Sequence, residues 1–413
     1  MKKILIIEDD PVVSHIYRTR LEKEGFAVEI CADGQSGYYR IYEAKPDALL
    51  LDLMLPKING VALLKKIRAV RGFERLPVIV FTNAYVTNMI SEAFAAGASA
   101  VYDKSAVTPR QILDALAHVM GPDSADESAA PLTSKAGALV NYIHAAEDTG
   151  FHRDLMKSFE QSSQTAIAEM RGALQDVTRT AEDQRAWQLE ELYRKVRSFT
   201  ASAGMAGLPH LAKLSSAVEA LLKELLEKPK SMTPSTVRTL AQAIDLFALL
   251  IGPGLPADLA DKPPIQILAV DDEPLSRRAV VAAMEKAFLK ATPVEDPEAA
   301  VALAKGTKFD LIFMDIHMPN MDGFTACDTL RREGPNQKTP VIFVTGMADF
   351  QSRTQSVLSG GSDFIAKPFV FIELTVKALT CALRHRVDTR KEVQSAAVAR
   401  PASAQEESAE LII

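Results

Sequence analysis

Two segments of this 413-residue chain repeat one another without a single insertion. The run "KILIIEDDP" from Lys3 pairs with "QILAVDDEP" from Gln266, and "DALLLDLMLPKINGVALLKKIR" from Asp47 with "DLIFMDIHMPNMDGFTACDTLR" from Asp310. "PVIVFTNA" from Pro77 pairs with "PVIFVTGM" from Pro340. Glu8 and Asp271, Asp52 and Asp315, Thr82 and Thr345, Lys104 and Lys367 all lie 263 positions apart. A fixed register across acids, hydroxyl and lysine marks two copies of one folded unit. Each copy, residues 1–120 and 265–386, alternates five apolar strand runs with segments of helical period. Apolar strands between amphipathic helices predict a parallel sheet covered on both faces. In such sheets the functional groups gather at the carboxyl ends of the strands.

The groups predicted to converge there are acids from the first strand, Asp from the third, Thr from the fourth and Lys from the fifth. Clustered carboxylates repel one another and are tolerated mainly when a cation neutralises them. Oxygen-only ligands, with no His or Cys among them, select a hard ion such as Mg²⁺. A metal, a lysine and a hydroxyl around one carboxylate make a phosphoryl-transfer site, with the carboxylate as nucleophile and the cations neutralising the transferred oxygens. The bland alternative is a buried polar network that only closes the sheet. Recurrence of the whole set at one spacing argues against it.

Both copies resemble the receiver domains of two-component response regulators. The resemblance implies a flavodoxin-like (βα)5 fold and phosphorylation of Asp52 or Asp315 by a sensor histidine kinase or a phosphotransfer protein. It implies Mg²⁺ held by Glu8, Asp9 and Asp52 in the first copy and by Asp271, Asp272 and Asp315 in the second. Thr82 or Thr345 would turn toward the phosphoryl group, Lys104 or Lys367 would pair with it, and the signal would leave through the fourth helix, fifth strand and fifth helix. The second copy keeps the family's switch aromatic as Phe364 and a proline, Pro368, after its lysine. The first has Val101 at the aromatic position with Tyr102 one residue late, Ser105 after Lys104, and a bulky Asn83 after Thr82. A rebuilt loop and altered switching are therefore expected there.

Between the copies the sequence is helical, so the fold class is α/β plus all-α. The linkers "GPDSADESAAPLTS", residues 121–134, and "GPGLPADLADKPP", residues 252–264, frame a predicted bundle over residues 135–251. It reads as helices in "KAGALVNYIHAAED", in the run from Phe151, in "DQRAWQLEELYRKVRSFTASAG", in the run from Leu208 and in "TPSTVRTLAQAIDLFALLI". In the third of these, Leu189, Leu192, Val196, Phe199 and Ala203 follow the buried period, which predicts Tyr193, Arg197 and Thr200 on an outer, solvent-facing stripe. The end of that helix, "VRSFTASAGMAG", runs into small residues, as if a large partner had to come close.

The bundle resembles a histidine phosphotransfer (HPt) four-helix bundle. Phe199, Ser202, Gly207, Leu211, Leu214 and Glu219 match that family's pattern. Arg197 stands where the phosphorylated histidine belongs, Thr200 replaces its lysine, and Ala201 replaces its access-giving glycine. Arginine stays protonated and is no nucleophile. His210 is expected to be a surface residue of the next helix, and His144 and His152 lie on other helices. The expected role is docking or dimerisation without phosphotransfer, and a sharper expectation has Arg197 entering a receiver's acidic pocket as a cation mimic.

A formal net charge of −6 gives nucleic-acid binding no electrostatic support. No run of about 18 apolar residues spans a membrane, and three scattered cysteines fit a reducing cytoplasm. Residues 387–413 are expected to be disordered. The chain is thus expected to be a cytoplasmic response regulator, not an enzyme beyond its own phosphorylation and autodephosphorylation, with protein binding as output; a homodimer fits as well. A phosphorelay intermediate or phosphate sink is the nearest alternative. A Mg²⁺-dependent phosphohydrolase working through an aspartyl phosphate is the remote one, since Met54 and His317 occupy the place of its second acid.

Overall fold

The computed structural model describes residues 1–82, 92–104, 109–120, 149–181, 184–252, 255–256, 259–260, 263–287, 289–346 and 362–398. It divides into two compact units, Met1–Met232 and Thr233–Ile413.

In the first unit, strands β1 (Lys3–Ile7), β2 (Ala27–Cys31), β3 (Ala48–Leu51), β4 (Val78–Thr82) and β5 (Ala100–Asp103) form a parallel sheet in the order β2-β1-β3-β4-β5. Their side chains alternate between faces, as pleating requires. Leu5, Ile7, Leu49, Leu51, Val78 and Val80 face helices α2 (Gly34–Ala44) and α3 (Gly60–Arg68). Ile4, Ile6, Leu50, Ile79 and Phe81 face α1 (Pro11–Lys23) and α4 (Pro109–Val119).

Local chemistry fixes the helix starts. Asp10 caps α1 by accepting from the N–H groups of Val12 at 2.8 Å and Val13 at 3.2 Å. The cap consumes the third acid of "EDD" and leaves Glu8 and Asp9 for the pocket. Gly60, eight residues after Asp52, is required sterically, because a Cβ there would lie 2.2 Å from the Asp52 carbonyl oxygen.

The same unit contains α5 (Thr149–Arg179), α6 (Arg185–Met205) and α7 (Pro209–Glu227). One face of α6 packs among these helices through Leu189, Leu192, Val196 and Phe199, with Phe199 against Phe159. The opposite face is covered too, for Ala201 and Met205 belong to the apolar cluster of the first sheet, beside Val13, Tyr17 and Leu21 of α1. The predicted solvent-facing stripe is therefore corrected. Tyr193 and Thr200 are buried, and Arg197 keeps only 12% of its side chain exposed, because the receiver-like half of the unit lies on them. His210, expected at the surface, is completely buried.

The second unit repeats the sheet with β6 (Gln266–Val270), β7 (Lys290–Val294), β8 (Leu311–Asp315), β9 (Val341–Thr345) and β10 (Asp363–Ala366), in the order β10-β9-β8-β6-β7. Helices α10 (Pro297–Gly306) and α11 (Gly323–Arg332) cover one face. Helix α8 (Pro234–Leu250) belongs to this unit, where Ser235 and Thr239 donate to Glu373 on α12 (Phe371–Val398) at 2.6 and 3.3 Å. Helix α9 (Pro274–Lys286) packs on α12 as well.

The predicted disordered tail is corrected in its first part. α12 continues to Val398, since no helix breaker follows until Pro401, and Glu392 on its extension pairs with Lys338. Residues 399–413 lie outside the described residues, as do the predicted linker 121–134, the first bundle helix at 135–148 with His144, and Asn83 and Ser105.

Candidate functional site

Chain direction and register bring the predicted groups together at the carboxyl ends of both sheets. In the first, Glu8 and Asp9 follow β1, and the Asp52 N–H donates to the Ile7 carbonyl at 3.0 Å. Thr82 closes β4, and its carbonyl accepts from the Lys104 N–H at 2.9 Å. Carboxylate oxygens of Glu8, Asp9 and Asp52 lie within 4.8 Å of one another. Lys104 Nζ bridges Glu8 at 2.7 Å and Asp52 at 2.9 Å. The Thr82 hydroxyl is buried and has no hydrogen-bond partner in the described structure. A buried hydroxyl left unpaired costs free energy and suits a group awaiting a ligand oxygen.

A second cation enters this pocket from α6. Arg197 donates from Nη1 to Asp9 Oδ2 at 3.0 Å and from Nη2 to Asp9 Oδ1 at 2.7 Å, and Nη2 also donates to Asp52 Oδ2. Glu8 lies 3.9 Å from the same nitrogen. The fork grips Asp9 through both oxygens, the geometry in which arginine pairs most strongly with a carboxylate. Beside it, Lys223 on α7 reaches the Met54 sulfur at 3.4 Å, and Tyr193 sits one helical turn before Arg197 on α6.

The second pocket likewise has three carboxylates, and among the described residues Lys367 is the cation paired with their side chains. Oxygens of Asp271, Asp272 and Asp315 lie within 4.8 Å of one another. Lys367 Nζ is 2.9 Å from Asp271 and 3.3 Å from Asp315. Asp271 also accepts from the Ser276 hydroxyl and from the Glu273 N–H at 3.0 Å. Phe364 is turned into the core, the Lys367–Pro368 peptide is cis, and Thr345 closes β9.

The cations described beside each pocket separate the two aspartates electrostatically. Burial alone would raise the Asp52 carboxyl, but the Lys104 ammonium and the Arg197 guanidinium reverse this and hold it below its ordinary value. At Asp315 burial prevails over Lys367, aided by the charge of Asp271, and the carboxyl is raised. Burial also raises Glu8 and Asp9 against the pull of the cations.

Sequence reasoning named the clustered acids, Thr82 and the lysines Lys104 and Lys367, and gave Arg197 as a cation mimic only as its sharper expectation. It missed Tyr193 and Lys223 at the rim. Their signal was weak, a tyrosine one turn from Arg197 and a lysine on the following helix.

Comparison with known proteins agrees with the geometry. The model of the response regulator receiver domain matches residues 4–117 and 267–379. The signal transduction histidine-protein kinase BarA of Escherichia coli is 37% identical over 114 residues, 28% of this chain and 12% of that protein. The transcriptional activator protein IrlR of Burkholderia pseudomallei is 34% identical over 113 residues, 27% of this chain and 48% of that protein. The chain thus spans about an eighth to about half of these curated relatives. Among solved structures, the receiver domain of a sensor histidine kinase from Pseudomonas aeruginosa, with magnesium coordinated in its active-site cleft, is 26% identical. It covers 29% of this chain and 98% of its own, with a TM-score of 0.28. With more than half its length matched, and with the acids and lysine of both matched segments converging, the chain belongs to the response regulator receiver-domain family and carries that domain twice.

Proposed function

We propose that the chain is a response regulator of a two-component phosphorelay that accepts phosphoryl groups on Asp315 and Asp52 and signals through protein binding. The observation that carries this reading is the convergence, twice, of three carboxylates and a lysine at the carboxyl ends of a parallel sheet. A carboxylate oxygen attacks phosphorus, the bond to the donor imidazole nitrogen of a histidine kinase or phosphotransfer protein breaks, and that nitrogen takes up a proton. Lys367 or Lys104 neutralises charge on the transferred oxygens. Both oxygen-only triads fit a hard divalent ion, and Mg²⁺, when bound, would supply the further positive charge that in-line transfer needs. In the second pocket Asp271, Asp272 and Asp315 would hold it.

The middle helices are, in this reading, an HPt-like element without its histidine. The output is not DNA binding, in keeping with the net charge of −6, and the protein performs no turnover beyond its own phosphorylation and dephosphorylation. No described helix is long and apolar enough to cross a membrane, which is consistent with work in the cytoplasm.

Acetyl phosphate labelling tests the reading, with Asp52→Asn and Asp315→Asn made separately and together. Base-labile label on Asp315, absent from the double variant, is expected. Base-stable label persisting in the double variant would point to a phosphohistidine and overturn it.

A further inference from the structure

The two acid triads are superimposable in sequence register, yet the protein supplies them with different charge. Glu8, Asp9 and Asp52 meet Lys104 and Arg197, whereas among the described residues Lys367 is the cation paired with the side chains of Asp271 and Asp315. The oxygens that Arg197 engages, both of Asp9 and one of Asp52, belong to the set a divalent ion would need. A guanidinium and an ion cannot share them.

The contact is also more than one side chain. Ala201 and Met205, one and two turns beyond Arg197 on the same face of α6, lie in the apolar cluster of the first sheet with α1. The small side chain of Ala201 lets that face approach closely. Lys223 of α7 adds its contact to Met54, two residues beyond Asp52. Apolar packing, a polar rim contact and a central charged fork together describe a built interface, occupied by the receiver of the same chain.

We propose that Arg197 is the resident cation of the first receiver, seated by the α6–α7 hairpin so that it excludes Mg²⁺ and shields Asp52 from phosphodonors. The HPt-like face thus serves as an intramolecular inhibitor, and the first receiver becomes competent only when the hairpin lifts. The second receiver has no such occupant among the described residues and remains open to the ion. This rests on the reading of Asp52 and Asp315 as phosphoacceptors given above. A tethered group acts at an effective concentration on the order of millimolar, so it competes well with a weakly bound ion.

The test uses the full chain and Mn²⁺ as the probe, with free ion followed by electron paramagnetic resonance. The wild type is expected to take up one ion per chain and Arg197→Ala two, the added site being tighter by about tenfold or more than any second site in the wild type. Two equivalent ions on the wild type would overturn the proposal even if Arg197→Ala folds poorly. Acetyl phosphate labelling of Asp52 in an Asp315→Asn chain should quicken about tenfold or more when Arg197→Ala is added, and an unchanged rate overturns the proposal. Label on Asp315 with no such change sinks the inhibitor and leaves the function standing. No label on either aspartate sinks the function, and the ion count then decides the fate of Arg197.

Discussion

Arg197 answers the electrostatic need of three neighbouring carboxylates with a cation tethered to the same chain. Removing it leaves Asp9 without this partner and the buried Asp52 with Lys104. Breaking a buried charge set in this way costs about 3 kcal/mol or more. Arg197→Ala should therefore lower the melting temperature of the first unit in EDTA and regain most of the loss in Mg²⁺, whereas wild-type melting of that unit should ignore the ion. Scanning calorimetry with and without Mg²⁺ checks both halves of the statement. The position of Arg197 was hard to read from sequence because helical periodicity assumes one buried face. Helix α6 has two, one packed through Val196 and Phe199 and the other through Tyr193, Ala201 and Met205. The small residues of "VRSFTASAGMAG" carried the trace of the second contact, and no period could say what made it. His210 misled for the same reason, since a histidine near a helix start reads as exposed unless a neighbour covers it.

At the scale of elements, the 263-residue register made both sheets legible, and it also aligns Gly60 with Gly323, each eight residues after Asp52 or Asp315. A Cβ at Gly323 would lie 2.1 Å from the Asp315 carbonyl oxygen, so the start of α11 and the end of β8 fit together only without a side chain. Gly323→Ala is expected to destabilise the second unit by about 2 kcal/mol, read from its urea midpoint, and to weaken Mg²⁺ binding by moving Asp315. Helix α12 is pinned to β10 by a buried pair, Lys377 to Asp363 at 2.6 Å. Lys377→Met should cost about 3 kcal/mol in the same unit, and adding Asp363→Leu should recover much of it, because the uncompensated charge is the larger penalty. The extension of α12 past residue 386 was lost to sequence reasoning, although no helix breaker stands before Pro401.

For the whole molecule, two compact units predict two melting transitions. Ligand binding to a folded unit stabilises it by about 2.7 kcal/mol at a hundred times its dissociation constant. Saturating Mg²⁺ should accordingly raise the transition of Thr233–Ile413 and leave that of Met1–Met232 in place; equal shifts of both would contradict the difference between the pockets. The boundary itself has a further consequence. It falls after Met232, well inside the helical stretch, not at the Pro- and Ser-rich linker where composition would cut the chain. A fragment ended at residue 120 would be a receiver parted from its stopper, ready for metal and donor. A fragment ended at Met232 would carry the stopper along. The same aspartate would look eager in one tube and inert in the other, with nothing changed except where the chain was trimmed.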